Sequence, residues 1–197
     1  MYRLIQTAYK GYRYASMLLG ALIALVFILL GILSDRVKGD IAQPSLALSR
    51  IPFFVGEYAR LLYYHALLES VGRDVTFKYG SFCQYRKARL GNRVLIGYFN
   101  TLGEVSIGDN VLVGSNVNFL SGLVQHGFDD PSRLIWDTPG KGRVRIHVGS
   151  DVWIGSDCVI GSDVGNRCVI ATGSIVVKPI DHHTLAGGNP ARPLKTI

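Results

Sequence analysis

Among the 197 residues of this chain, His126 has the side chain best suited to moving a proton near neutral pH. An imidazole titrates close to neutrality and can take a proton from a hydroxyl or an amine. It lies in Ser121-Gly122-Leu123-Val124-Gln125-His126-Gly127-Phe128-Asp129-Asp130-Pro131, the segment of the chain richest in reactive groups. Asp129 or Asp130 is close enough along the chain to orient the ring. The other histidines suit catalysis less well. His65 falls in an amphipathic stretch, His147 precedes an aliphatic strand residue, and His182 and His183 belong to the tail. A catalytic zinc needs several converging ligands and an open position. His126 and His147 do not supply that spacing, so no metal is expected.

The elements that would hold His126 follow from a repeat. Ten times an aliphatic residue is followed at once by a small one, mostly at intervals of six. The pairs run from Leu90-Gly91 to Val113-Gly114 and resume from Val148-Gly149 to Ile170-Ala171. A hexapeptide period predicts a parallel β-helix whose coils stack, with the aliphatic residue inward. An antiparallel sandwich would space its strands more widely and less evenly. The glycines are expected to allow tight corners, and Asp-Asn, Ser-Asn and Ser-Asp after them are turn chemistry. A second inward row falls four residues on, at Val94, Ser106, Val111, Val117, Val152, Cys158, Cys168 and Ser174. Cys158 and Cys168 are therefore expected to be packed thiols. Shortened steps from Leu102 to Ile107 and from Ile160 to Val164 read as tighter corners. Weaker units at Val71, Phe77 and Cys83 start the helix near residue 71. The repeat breaks only between about Leu123 and Ile146, and His126 stands at the start of that break.

The division expected is a membrane-associated helical region over 1–70, a β-helix over 71–180 with its loop at 123–146, and a C-terminal tail over 181–197. From Tyr14 to Ser34 there is no charged residue, and twenty residues of helix reach about 30 Å, the depth of a bilayer core. The run is long for a secretory signal and lacks a small-residue cleavage site. A second segment, 45–69, mixes aromatic, apolar and basic residues. It fits either a helix in the membrane interface or a cap over the first coil, whose edge needs covering. The net charge of +7 suits anionic lipid or a phosphorylated ligand. It is scattered and lacks a recognised binding motif, so nucleic acid is not expected.

Val152-Trp153-Ile154-Gly155, Ile170-Ala171-Thr172-Gly173-Ser174-Ile175-Val176, Lys178-Pro179 and Gly188-Asn189-Pro190-Ala191 resemble the hexapeptide-repeat acyltransferases, and most of all the O-acetyltransferases of bacterial surface polysaccharides. The resemblance spans about residues 70 to 195. It implies a left-handed parallel β-helix, a homotrimer with active sites between subunits, and acetyl-CoA as donor. It implies His126 as general base and Trp153 beside the donor channel, with Ala171 and Gly173 against the pantetheine arm. Lys178, Arg192 and Lys195 are then phosphate contacts, and Asn100 matches an acceptor-site asparagine. The expected reaction is O-acetylation of a sugar hydroxyl on a polysaccharide or lipid-linked glycan, at the cytoplasmic side of a bacterial inner membrane. Two rivals stand beside it: N-acylation of an amino-sugar nucleotide, and a trimeric membrane scaffold without chemistry.

Overall fold

A computed structural model describes residues 2–123 and 126–197, with side chains from residue 5 onward. Three helices, α1 (Tyr2–Lys38), α2 (Ala42–Ser49) and α3 (Phe53–Leu67), precede a parallel β-solenoid of about 6 turns. Its three faces are sheets of very short strands. One stacks Ser70–Val71, Arg89–Leu90, Val105–Ile107 and Ile146–Val148; a second runs from Thr76–Phe77 through Val94–Ile96, Val111–Val113, Val152–Ile154 and Val169–Ile170 to Thr184–Gly188; the third runs from Phe82–Cys83 to Ile175–Val176. The first strand of the stack begins at Ser70. The segment 181–197 is more than a tail, because Ala191–Thr196 folds back antiparallel on Thr184–Gly188 and extends the second sheet.

All ten repeating aliphatic residues are buried, so the core is one continuous column. The stack is not uniform along its length. Ser70 lies over Arg89, Arg89 over Ser106, and Val148 over Val164, so the coils before the loop advance 19 and 17 residues and those after it 16. Both short steps are therefore real corners. The first of them moves the second inward row by one place: Val105 is fully buried, and Ser106 turns partly outward.

The repeating glycines have a different role from the one expected. Those from Gly91 to Gly165 have ordinary backbone angles; at every corner except the two shortened ones, after Gly103 and Gly161, the left-handed residue stands two places later. Arg93, Phe99, Asn110, Asn116, Asp151, Asp157 and Arg167 have φ between 53 and 59°. The glycines are required because adjacent coils nearly touch. A Cβ on Gly97 would lie 2.4 Å from the Gly114 carbonyl oxygen, and one on Gly155 would lie 2.6 Å from the Thr172 nitrogen. Side chains next to the glycines then tie the coils together. Asn92 N–H donates to Asp109, Asp109 N–H to Ser150, Ser150 N–H to Asn166, and Asn166 N–H to His182 Nδ1, at 2.6–3.0 Å.

The first coil is closed by helices. The segment 45–69 forms two of them, broken at Arg50-Ile51-Pro52. Arg60 is buried and donates to the carbonyls of Phe77 (3.1 Å) and Ile51 (2.8 Å). Ser45 and Tyr64 share a 2.7 Å hydrogen bond, and both accept from Cys83 N–H. The cap thus satisfies backbone groups that a terminal coil would leave unpaired. α1 lies along α3. Ser16, Gly20, Ala24 and Gly31 are buried, and a Cβ on Gly20 would meet the Val55 carbonyl at 2.9 Å.

Candidate active site

The loop leaves the solenoid at Ser121 and returns at Val144, whose N–H donates to the Ser121 carbonyl at 2.9 Å and closes the neck. Within it Gly127 packs against Thr138 and Pro139, so the two limbs touch. A 3-10 turn, Ile135–Asp137, sits at the far side with Trp136 91% exposed. Val124 and Gln125 lie outside the described residues.

His126 is exposed and lines a cleft of about 510 Å³ with Tyr85, Lys87, Glu104, Gly140, Gly142 and Arg143. Glu104 is only 5% exposed. It follows Gly103 at the corner where the step shortens, and the backbone N–H of Glu104 is held by Ser121 Oγ at 2.8 Å. Its carboxylate accepts from Arg143 Nε at 2.8 Å, and Arg143 lies 4.3 Å from the centre of the Tyr85 ring. That hydrogen bond to Glu104 raises the Arg143 pKa above its ordinary value. The result is a fixed acid–base pair in a polar cleft open to solvent, with an imidazole on its wall. Glu104 neutralises Arg143 across the cleft. A neutral polyol can use the remaining carboxylate lone pairs and guanidinium N–H groups.

Sequence reasoning missed Glu104, Arg143 and Tyr85. They are distant along the chain and meet only when coils stack. The one local signal was an acid next to the five-residue step.

The other candidates occupy different places. Asp129 pairs with Lys141 at 3.0 Å. Asp130 accepts from Ser132, which holds its carboxyl below the ordinary value. Asn100 is fully buried at a different corner of the coil, outside the cleft His126 lines. Its Nδ2 donates to the Gly114 carbonyl at 2.9 Å and its Oδ1 accepts from Val117 N–H at 2.6 Å. Within one chain it therefore serves as a post between coils.

Trp153 projects from the second sheet, 57% exposed, above a shallow groove of about 260 Å³ shared with Leu112, Asp151, Arg167 and Ile197. Gly173 is the left-handed corner residue of its coil (φ 75°), and a Cβ there would meet nothing within 4 Å. Ala171 packs against Gly187. Lys178, Arg192 and Lys195 are exposed. Cys158 and Cys168 point inward and donate to the carbonyls of Ala171 (3.2 Å) and Asp181 (3.0 Å), with burial raising both thiol pKa values. They are packed thiols, as expected.

A family model for the hexapeptide repeat of succinyl-transferase matches residues 104–119 and 145–178. A hexapeptide-repeat acetyltransferase from Vibrio cholerae is 26% identical, over 86% of this chain and 92% of its own, with a TM-score of 0.63. A maltose O-acetyltransferase from Clostridium difficile is 25% identical, over 77% and 82%, with a TM-score of 0.66. A galactoside acetyltransferase in complex with coenzyme A is 27% identical, over 71% and 70%, with a TM-score of 0.51. The chain has the hexapeptide repeat and the β-solenoid of these acetyltransferases, which support an acyltransferase activity. The interval that the family model skips coincides with the break in the repeat. Among the described residues no group of three or more metal-ligating side chains gathers.

Proposed function

We propose that this acyltransferase moves an acetyl group from acetyl-CoA to a sugar hydroxyl of a polysaccharide or lipid-linked glycan, at the cytoplasmic face of a bacterial inner membrane, with His126 as general base. The observation that carries the reading is the placement of His126 on the wall of the cleft built by the interrupting loop. Two sugar-modifying enzymes among the similar structures, one of them bound to coenzyme A, support the donor and the acceptor class.

In the proposed step the acceptor hydroxyl gives its proton to His126 as its oxygen attacks the thioester carbonyl carbon. Backbone N–H groups hold the oxyanion, the C–S bond breaks, and the imidazolium returns the proton to the leaving thiolate. Glu104 and Arg143 hold sugar hydroxyls and keep the cleft in shape. Asp129 steadies the loop through Lys141, and Asn100 fixes the adjoining coil. The donor lies along the later coils, past Trp153, with its arm at Ala171 and Gly173 and its phosphates near Lys178 and Arg192. A homotrimer would bring a neighbouring subunit's face against the exposed loop.

The test is acetyl transfer to purified glycan acceptors, followed by mass, with wild type and His126→Ala. Loss of transfer with retained CoA binding supports the assignment, and near-normal turnover overturns it.

A further inference from the structure

We infer that α1 lies in the plane of the membrane surface and does not cross the bilayer. This rests on the membrane reading above and not on the transfer chemistry. By length and composition α1 is apolar enough to span, and only 22% of its most apolar window is buried, so it is no ordinary core helix. Its outer face carries Leu18, Leu22, Leu25, Leu29 and Leu33, all exposed, at helical spacing on the side opposite Ser16, Gly20 and Ala24. That outer face has no protein partner among the described residues.

The way α1 is docked decides between spanning and lying flat. Along the whole apolar stretch it is tied to the cap of the solenoid. Arg13 Nη2 donates to Tyr58 Oη at 3.0 Å, Gly20 sits on Val55 and Ala59, Gly31 sits on Tyr63 and Leu67, and Asp35 pairs with Arg86 at 3.0 Å. α3, against which it rests, carries the Glu57–Lys78 ion pair at 2.8 Å and the buried Arg60. The strand edge of the first coil lies directly beneath α3. If α1 crossed a bilayer while docked, these charges and that polar coil would be carried into hydrocarbon, where backbone and ionised groups must be satisfied at high cost. Lying flat, the leucine face enters the lipid while α3 and the solenoid stay in water.

The charges at the ends of α1 agree with this geometry. Lys10 and Arg13 precede the apolar stretch, and Arg36 and Lys38 follow it. A spanning helix concentrates cations on one side, whereas an in-plane helix presents both ends to the same anionic headgroups. The occupant of the leucine face is therefore an anionic phospholipid surface.

The experiment uses the full chain in bacterial membranes. Gln6→Cys reports the start of α1 and Asp181→Cys reports the solenoid; the three native cysteines are buried and give little background. A membrane-impermeant maleimide is applied to right-side-out and to inverted vesicles. Labelling of both positions from the same face supports the in-plane arrangement. Labelling from opposite faces overturns it, and so does recovery of the protein in the soluble fraction, which also removes the membrane reading. A second arm uses purified protein and vesicles of phosphatidylethanolamine and phosphatidylglycerol. Leu22→Lys with Leu29→Lys changes only exposed side chains and should reduce binding by about tenfold or more with unchanged circular dichroism. Equal binding would show that another face meets the lipid. The acetyl-transfer assay on a soluble sugar is independent of both arms, so loss of that activity and loss of the anchor are distinguishable.

Discussion

The coils from Ile146 to Ile180 and the loop from Ser121 to Arg145 are adjacent in sequence and opposite in construction. In the coils nearly every polar group is handed to the next layer, and inward space is so tight that glycine and small residues are obligatory. Beyond its neck, where Ser121, Arg143 and Arg145 tie it to the coils, the loop's contacts are local: Asp130 with Ser132, Asp129 with Lys141, Gly127 with Pro139. Its large apolar side chains Leu134, Ile135 and Trp136 face outward. A coil residue is therefore constrained by shape, and a loop residue by what it does. Substitutions in the two regions should fail in different assays.

The sharpest separation is expected at His126. His126→Ala should lower acetyl transfer by about 10²–10⁴-fold and leave the thermal midpoint near wild type, because the side chain is exposed. A large drop in midpoint would make His126 part of the scaffold and erase the contrast. Gly97→Ala should do the reverse. Its Cβ meets the next coil's carbonyl, and the overpacking should cost about 1–3 kcal/mol in urea unfolding while the cleft chemistry per folded molecule persists.

Arg60→Met extends the comparison to the cap. It leaves the Phe77 and Ile51 carbonyls without their donor, which should cost about 1–3 kcal/mol. Part of that is returned, because burial already penalises the charged guanidinium and lowers its pKa. Unchanged stability would mean that water replaces the arginine and that the cap is looser than it looks.

The smallest effect concerns Glu69, which joins the first coil to the loop's return through Arg89 and Arg145. Its hydrogen bond to Arg89, aided by Arg145, holds the carboxyl below its ordinary value of 4.5. A depressed folded pKa contributes stability above the unfolded value and loses it as pH falls through the folded one. Glu69→Gln should therefore flatten the acid limb of the stability curve below about pH 4.5, with its small loss of stability present at neutrality and vanishing in acid, because the pair is exposed to solvent. An identical acid limb in both proteins would show that the pair is fully screened by solvent.

Much of the solenoid was legible because its constraint is periodic. Ten aliphatic positions read from the chain are ten buried residues, and the break in their spacing is the loop. Other features were not periodic and were misread or missed. The glycines were assigned to corners, whereas the left-handed residues are Asn110, Asp151 and their equivalents. One residue of shift put Ser106 inward in place of Val105. The segment 45–69 had Pro52 to mark its break into two helices. Glu104, Arg143 and Tyr85 carry no shared motif, since only stacking across coils brings them together.

The shrinking coil length gives the molecule a direction. A perimeter that falls from 19 to 16 residues loses about 10 Å at the rise of an extended chain, so the column is a tapered plug, broad under the helices and narrow at the hairpin. Coils of unequal girth are not interchangeable. A coil transplanted from the broad end would not fit the narrow one, where Val148, Val164 and Ile180 stack at an even 16 residues.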